Sequence, residues 1–495
     1  MNLRYGFFVL VIAATAAAQQ PPPTALTIYN QNFAVARATV DLDLHPGSNE
    51  VTTTQVTSQL EPDSVVLRDP TLRDPAGKPS FTISEQNYDS ALVSQDWMLQ
   101  HFEGKTIDFQ LPPNQNGQSQ IVKGTIIRAP GSTSDGQDSQ PLIEVDGKMQ
   151  FQLPGTPLFS AATNNLLLKP TLRWQIHAEK SEKLAAELAY VTGGLSWEAT
   201  YNIVAPEDTA PNQKADIVGW VTIHNQSGTD FPQTSIKLMA GDVAKIVAQP
   251  QVFAKRMVMN AAIAAPEPQV TQKAFDDFHL YDLNRTVALR NGEIKQVQFI
   301  QSAALNLQRT YIYDGAEGVQ LWYGNGLNQQ QDLGIDTGSS KVHIVQQFKN
   351  TEANHLGIPL PAGRVRLYRQ DGGPNDPKAQ VEFVGESTIP HTAAEETIRL
   401  TTGSAFDIKG TRRQTDFHVL EKGHTIDETF EIKITNQKAQ PVTVNVLEHL
   451  YRGNNWQITN KSADYTKLDS HTVEFPLQVP SKGETTLTYT THYTW

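Results

Sequence analysis

Cysteine is absent from all 495 residues. Its absence excludes disulfides, thiolate metal sites and thiol nucleophiles, and leaves stability to burial and backbone pairing. An anchor of the N-terminal lipid-modified cysteine kind is excluded on the same ground. Long apolar runs are scarce too. The longest, from Gly6 to Ala14, is shorter than the ~20 apolar residues a spanning helix needs. Sustained heptads are missing, so no coiled coil is expected. Positive charge is the minority sign, with 40 Lys plus Arg against 52 Asp plus Glu. A broad nucleic-acid surface needs clustered cations and is therefore not expected.

What is present suits a folded chain. Hydrophobic residues make up 39% and charged ones 19%, a balance that supports a core and argues against global disorder. The length predicts about two to four domains. In "MNLRYGFFVLVIAATAAAQQPPP", Arg4 precedes the apolar run, and Ala16-Ala17-Ala18 has the small-residue pattern of a cleavage site. This predicts a signal peptide over residues 1–18, with export to the periplasm or beyond. Pro21–Pro23 read as a stiff tether.

Apolar and polar residues alternate over most of the remaining chain. Leu26 and Ile28, then Val35, Val40, Leu42 and Leu44, mark half-buried strands. Only two stretches suggest helix. Asp89–Phe102 has capping residues at its start and Leu92, Leu99 and Phe102 near one face. "EKSEKLAAELAY" also alternates as a strand. Short strands from Gly104 to Leu153, split by polar loops such as Pro130–Gln140, suit a small barrel. Around Gly193-Gly194, two alternating runs meet: Leu188 and Tyr190 before it, then Leu195, Trp197, Ala199, Tyr201 and Ile203. That pattern predicts a hairpin. A strand ending in Asn, followed by a polar turn, occurs at Asn225, Asn350 and Asn436. There the side chain is expected to bond the backbone two residues on. Residues 250–277 are rich in Ala and Pro and read as a mobile insertion.

The expected fold is mostly β. It consists of antiparallel β-sandwich or immunoglobulin-like modules and a small barrel, with one or two short helices. An N-terminal β-rich region is expected over 19–165 and a C-terminal region of sandwich modules over 166–495.

Several separated strings carry a resemblance. They are "ELAYVTGGLSWEATYNIVAPE", "SIKLMAGDV", "HLYDL", "NHLGIPLPAGRVRLY", "FVGESTIPHTAAEETIRLTTGSAFDIKGTRRQTDF" and the final Trp495. In this order they resemble the uncharacterised domain-of-unknown-function family 4139, exported proteins of Gram-negative and other bacteria, over about residues 172–495. The resemblance implies architecture and compartment, and no activity. Members of the family often carry a coiled coil before this region, which this chain lacks.

Candidate chemistry is sparse. Gly194-Leu195-Ser196-Trp197-Glu198 lacks the second Gly and the following helix of a nucleophile elbow, so Ser196 reads as an outward strand residue. His391 with Glu395 or Glu396 supplies part of a metal site, completed at most by a distant group such as His355, because the His-Glu-x-x-His spacing is missing. Asp371–Pro377 is too short and too proline-rich for a calcium loop. In "AFDIKGTRRQTDF", Phe406 reads as buried. Arg412 and Arg413 point to opposite faces, so one of them can join Asp407 or Asp416 in an ion-pair network. With Arg364 or Arg366, the same Arg could form an anion site.

The leading expectation is an exported, non-catalytic binding or structural protein of the cell envelope, without cofactor or resident metal. Its partner would be a protein or another envelope component, met through loops and sheet edges. A metal-assisted envelope hydrolase built on His391, Glu395 or Glu396 and Asp407 is the alternative. The aromatic terminal strand raises a third reading, association with the outer membrane as a β protein.

Overall fold

The computed structural model describes residues 24–71, 79–90, 94–113, 117–132, 138–160, 169–207, 210–241, 243–245, 271–275, 278–319, 328–332, 334, 337–372, 380–420, 422 and 424–494. The expected signal peptide, the Pro21–Pro23 tether, residue 495 and most of the insertion at 250–277 and of the loop at 371–377 lie outside them.

The chain is mostly β, and its described residues build several sheets around three separate cores. The first core lies within a sandwich. One layer is a seven-stranded sheet, ordered Thr271–Phe275, Phe278–Leu289, Phe231–Ala240, Thr24–Tyr29, Phe33–Leu44, Glu182–Gly193 and Val66–Arg68. A three-stranded sheet of Gly47–Thr53, Thr171–Ala178 and Phe81–Asp89 packs into the same core. The opposing strands belong to a 13-stranded sheet. Alternation decides which side chains enter: along Leu195–Ala205, every second residue from Leu195 to Ala205 is buried. Trp174 is fully buried, and its indole Nε1 donates to Gln86 Oε1 at 2.8 Å, which removes the cost of burying a polar N–H.

These pairings join residues on both sides of position 165. Thr24–Tyr29 runs parallel to Phe231–Ala240, and Phe33–Leu44 pairs antiparallel with Glu182–Gly193. Among the described residues two further pairs are parallel, and the rest are antiparallel. The stretch from Ser94 to Phe159 has its own small core of Leu99, Ile107, Phe109, Ile126, Ala129 and Ile143. Its five-stranded sheet carries the one α-helix of the described residues, Gln95–His101. Ser94 caps that helix by accepting from the Trp97 amide, so the helix begins later than the sequence suggests. "EKSEKLAAELAY" is strand, within Glu182–Gly193.

The second sandwich core contains Tyr313, Ile408, Phe430, Val446, Phe475 and Tyr489. Three strands run without a break from one core into the other. Ile294–Asp314 gives Phe299 and Leu307 to the first core and Tyr311 and Tyr313 to the second. Thr397–Leu420 gives Leu400 and then Ile408. Lys341–Lys349 gives Phe348 to the first and Val342 to the second. Continuous backbone ladders therefore tie the two sandwiches together.

Two expectations are corrected. Glu182–Gly193 and Leu195–Ala205 do not form a hairpin. The first pairs with Phe33–Leu44, the second with Asn212–Asn225 and Gly363–Asp371. Gly194, at φ +74°, carries the chain from one sheet to the other, so both alternating runs face the same core from opposite layers. Phe406 is 93% exposed, since a shift in strand register occurs nearby.

The three asparagines are fully buried. Asn225 Oδ1 accepts from the Ser227 amide at 3.1 Å, and Asn436 Oδ1 from the Lys438 amide at 2.9 Å, both two residues on. Asn350 accepts instead from Gly357, seven residues on. Each amide nitrogen donates onward to carbonyls of another loop, such as Leu289, Ala393 and Pro480. Asn436→Ala strands these buried groups and is expected to cost about 1–3 kcal/mol in urea unfolding, with Gln437→Ala at the exposed neighbour nearly neutral.

Candidate functional site

The residues singled out in the sequence fall in different places. His391 is exposed and its Nδ1 accepts from the Ala362 amide at 3.1 Å. Glu395, at φ +66°, reaches Lys349 at 3.1 Å in the solvent. Glu396 staples the same turn by accepting from the Ala393 amide at 2.9 Å. His355 is exposed and ends a short 3₁₀ turn in the left-handed conformation. Arg364 and Arg366 face Glu386 at 4.0 and 3.5 Å. Arg413 pairs with Glu431, and Asp416 with His418. Among the described residues no group of three His, Asp or Glu side chains is placed to hold a metal.

Ser196 is half-buried and sits opposite His224, whose Nε2 lies 4.0 Å from Glu198. The three share one open sheet face, and Ser196 forms no hydrogen bond to His224. That fits an outward strand residue better than an activated nucleophile.

Arg412 enters the second core. Its Nε donates to both Glu448 oxygens at 3.2 and 3.0 Å, and its guanidinium lies 3.7 Å over the Phe430 ring. Tyr489 OH also donates to Glu448. A second buried pair, Arg452 with Glu428 at 2.8 Å, is bonded by Tyr451 OH at 2.9 Å. Burial lowers the tendency of Arg412 to hold its proton, and the neighbouring Glu448 carboxylate more than reverses this. Two charges of each sign cancel inside the core, so this network holds strands and offers nothing to solvent.

Beside it, half-buried His449 Nε2 lies 3.0 Å from Asp314. The hydrogen bond to Asp314 raises the His449 pKa above its ordinary 6.5, against the opposing effect of burial. A raised folded pKa means stability is full below the unfolded value and is lost as pH rises through the folded one. Thermal unfolding followed from pH 6 upward is expected to show that loss, and Asp314→Asn to flatten it.

Where the two sandwiches join, the outer face of the second opens into a cleft of about 880 Å³. Its floor is the parallel pair Ile294–Asp314 and Val442–His449, through Thr310, Ile312, Asn445 and Leu447. Its rim is the turn after Asn436, from Gln437 to Pro441. The buried Asn436 fixes that turn, so a core contact shapes the cleft. Arg309, Arg399 and Lys438 line it, together with Asp407 and Glu474. Arg309 and Lys438 lie over the same Tyr311 ring, at 5.3 and 5.9 Å. Of the sequence candidates, Asp407 lines this cleft; His391, Glu395, Arg364 and Arg412 do not.

A family model for DUF4139, a domain of unknown function, matches residues 186–495. The chain belongs to the DUF4139 family. The match covers the 13-stranded sheet, the second core and the whole cleft. In this DUF4139 chain the family region is not closed on itself, because strands before residue 186 complete the first sandwich. A search of curated proteins found no match.

The cleft residues other than Asp407 escape a reading of the sequence. Arg309 and Arg399 look like ordinary outward strand positions, and Lys438 like a turn residue. Only the pairing of distant strands brings them together. The one sequence signal is the Asn436 turn, which forms the rim.

Proposed function

We propose that this DUF4139 protein is exported and acts in the cell envelope as a non-catalytic binding module, with the junction cleft as its binding surface. The observation that carries this is the cleft itself, a concave site on a double sandwich, at the upper end of the ~300–1,000 Å³ usual for ligand sites. Its lining is of recognition chemistry: guanidinium, ammonium, amide and hydroxyl groups. Continuous strands through both cores support the reading, because a site built on sheets keeps its shape without a ligand. Export rests on the arrangement of residues 1–18, and the absence of cysteine is compatible with it.

A photo-crosslinking side chain placed at Thr443, inside the cleft, should capture an envelope component in living cells. The same probe at Glu50, exposed on the first sandwich, should not. Osmotic shock without detergent should release the protein. Equal capture at the two positions contradicts the binding surface, and retention in the cytosol contradicts export.

A further inference from the structure

We propose that the cleft takes a segment of acidic glycan, a short oligomer bearing carboxylates among hydroxyls, a proposal that rests on the cleft being the binding surface. Three observations lead there. The first is unpaired positive charge. Arg309, Arg399 and Lys438 line one cleft, and none forms an ion pair with a described carboxylate. Arg309 Nε is moreover buried with no hydrogen-bond partner. Elsewhere the buried cations are matched, Arg412 by Glu448 and Arg452 by Glu428. In a chain of net charge −12, three unmatched cations in one concave site mark a place for an anion.

The second observation is the amide lining. Gln308, Gln347, Gln437, Gln440 and Asn445 share the cleft with Thr310 and Thr443. A primary amide offers both donors and an acceptor, which matches a sugar hydroxyl, itself donor and acceptor. Asp407 and Glu474 also line the site, so three cations against two carboxylates leave a net charge of +1. That modest surplus suits a sparsely charged glycan; a densely phosphorylated polymer would meet repulsion from both carboxylates.

The third observation concerns backbone. An extended peptide gains affinity by adding a strand to a free sheet edge. The floor strand Val442–His449 is paired on both sides, with Ile294–Asp314 and with Thr472–Val479. The floor of the cleft therefore offers side chains, and no ladder for a peptide to extend.

Titration calorimetry on the mature chain tests this with tetragalacturonate as the acidic glycan. Maltotetraose serves as its neutral counterpart, polyglutamate as an acidic peptide and inorganic phosphate as a bare anion. Tetragalacturonate should bind in preference to the other three, and more weakly as salt rises. Lys438→Gln and Arg309→Gln should each weaken it roughly tenfold or more, with Arg364→Gln unchanged. Thermal melting checks that each variant is folded, and Lys438, in a turn and not in a strand, makes the safer variant. Equal binding of maltotetraose, preference for polyglutamate or phosphate, or no binding of any probe overturns the acidic-glycan assignment. Thr443→Trp, which fills the cleft, separates the two levels. If it abolishes binding of whichever probe is preferred, the cleft stands and only the ligand class falls. If it leaves that binding intact, the cleft itself is wrong.

Discussion

Glu448→Leu is expected to destabilise the protein by about 3–5 kcal/mol, a large share of the ~5–15 kcal/mol that holds a typical domain folded. The side chains of Arg412 and Glu448 are 0% and 1% exposed. Removing the carboxylate leaves a guanidinium in the second core with no counter-charge, and also deprives Tyr489 OH of its acceptor. Arg412 cannot escape by losing its proton, since its pKa is far above any working pH. The double change Arg412→Met/Glu448→Leu removes both charges and keeps volume, and it is expected to recover most of the loss. Urea unfolding of the two variants checks this. A single variant that loses under 1 kcal/mol, or a double variant no better than the single, contradicts the buried ion-pair network.

Gly194→Val is expected to cost at least about 2 kcal/mol and to loosen the first sandwich. Gly194 has φ +74°, where a β-branched residue is strained. An added Cβ would also stand 2.7 Å from the Gln226 carbonyl oxygen, which is backbone and cannot swing aside. Gly194 is the step by which the chain changes layer, so relief requires moving Leu195 and Trp197 out of the core. Gly292→Val is the comparison: it has a similar φ of +75° and so the same backbone strain, but meets nothing within 4 Å. The difference between the two thermal shifts isolates the contribution of the crossover. Equal shifts would mean that the close approach to Gln226 does not matter.

Period-two alternation makes most strands legible in the sequence. Leu195, Trp197, Ala199, Tyr201 and Ile203 are all buried as the spacing requires. Alternation is blind to partners, however. A run on either side of Gly193-Gly194 looks the same whether the two strands pair or face each other across a core, so the crossover reads as a hairpin. The Asn turns are legible because Asx bonding is local; the seven-residue reach of Asn350 is not. Spacing correctly sets Arg412 and Arg413 on opposite faces. Their partners, Glu448 and Glu431, depend on strand neighbours and cannot be read from spacing. The cleft is the least legible feature. It forms where residues near 309, 399, 438 and 474 converge, and nothing in the local sequence of any of them announces the others.

The absence of cysteine makes the most direct test simple, because a single introduced thiol is unique. Thr443→Cys places it in the cleft and Glu50→Cys on a distant exposed strand. The rate of labelling by a small maleimide can be compared in intact cells and in purified protein. The cleft thiol is expected to be protected in cells and to become reactive on purification, while the Glu50→Cys thiol reacts alike in both. Equal reactivity of the cleft thiol in both settings would contradict the cleft as the working surface of this protein.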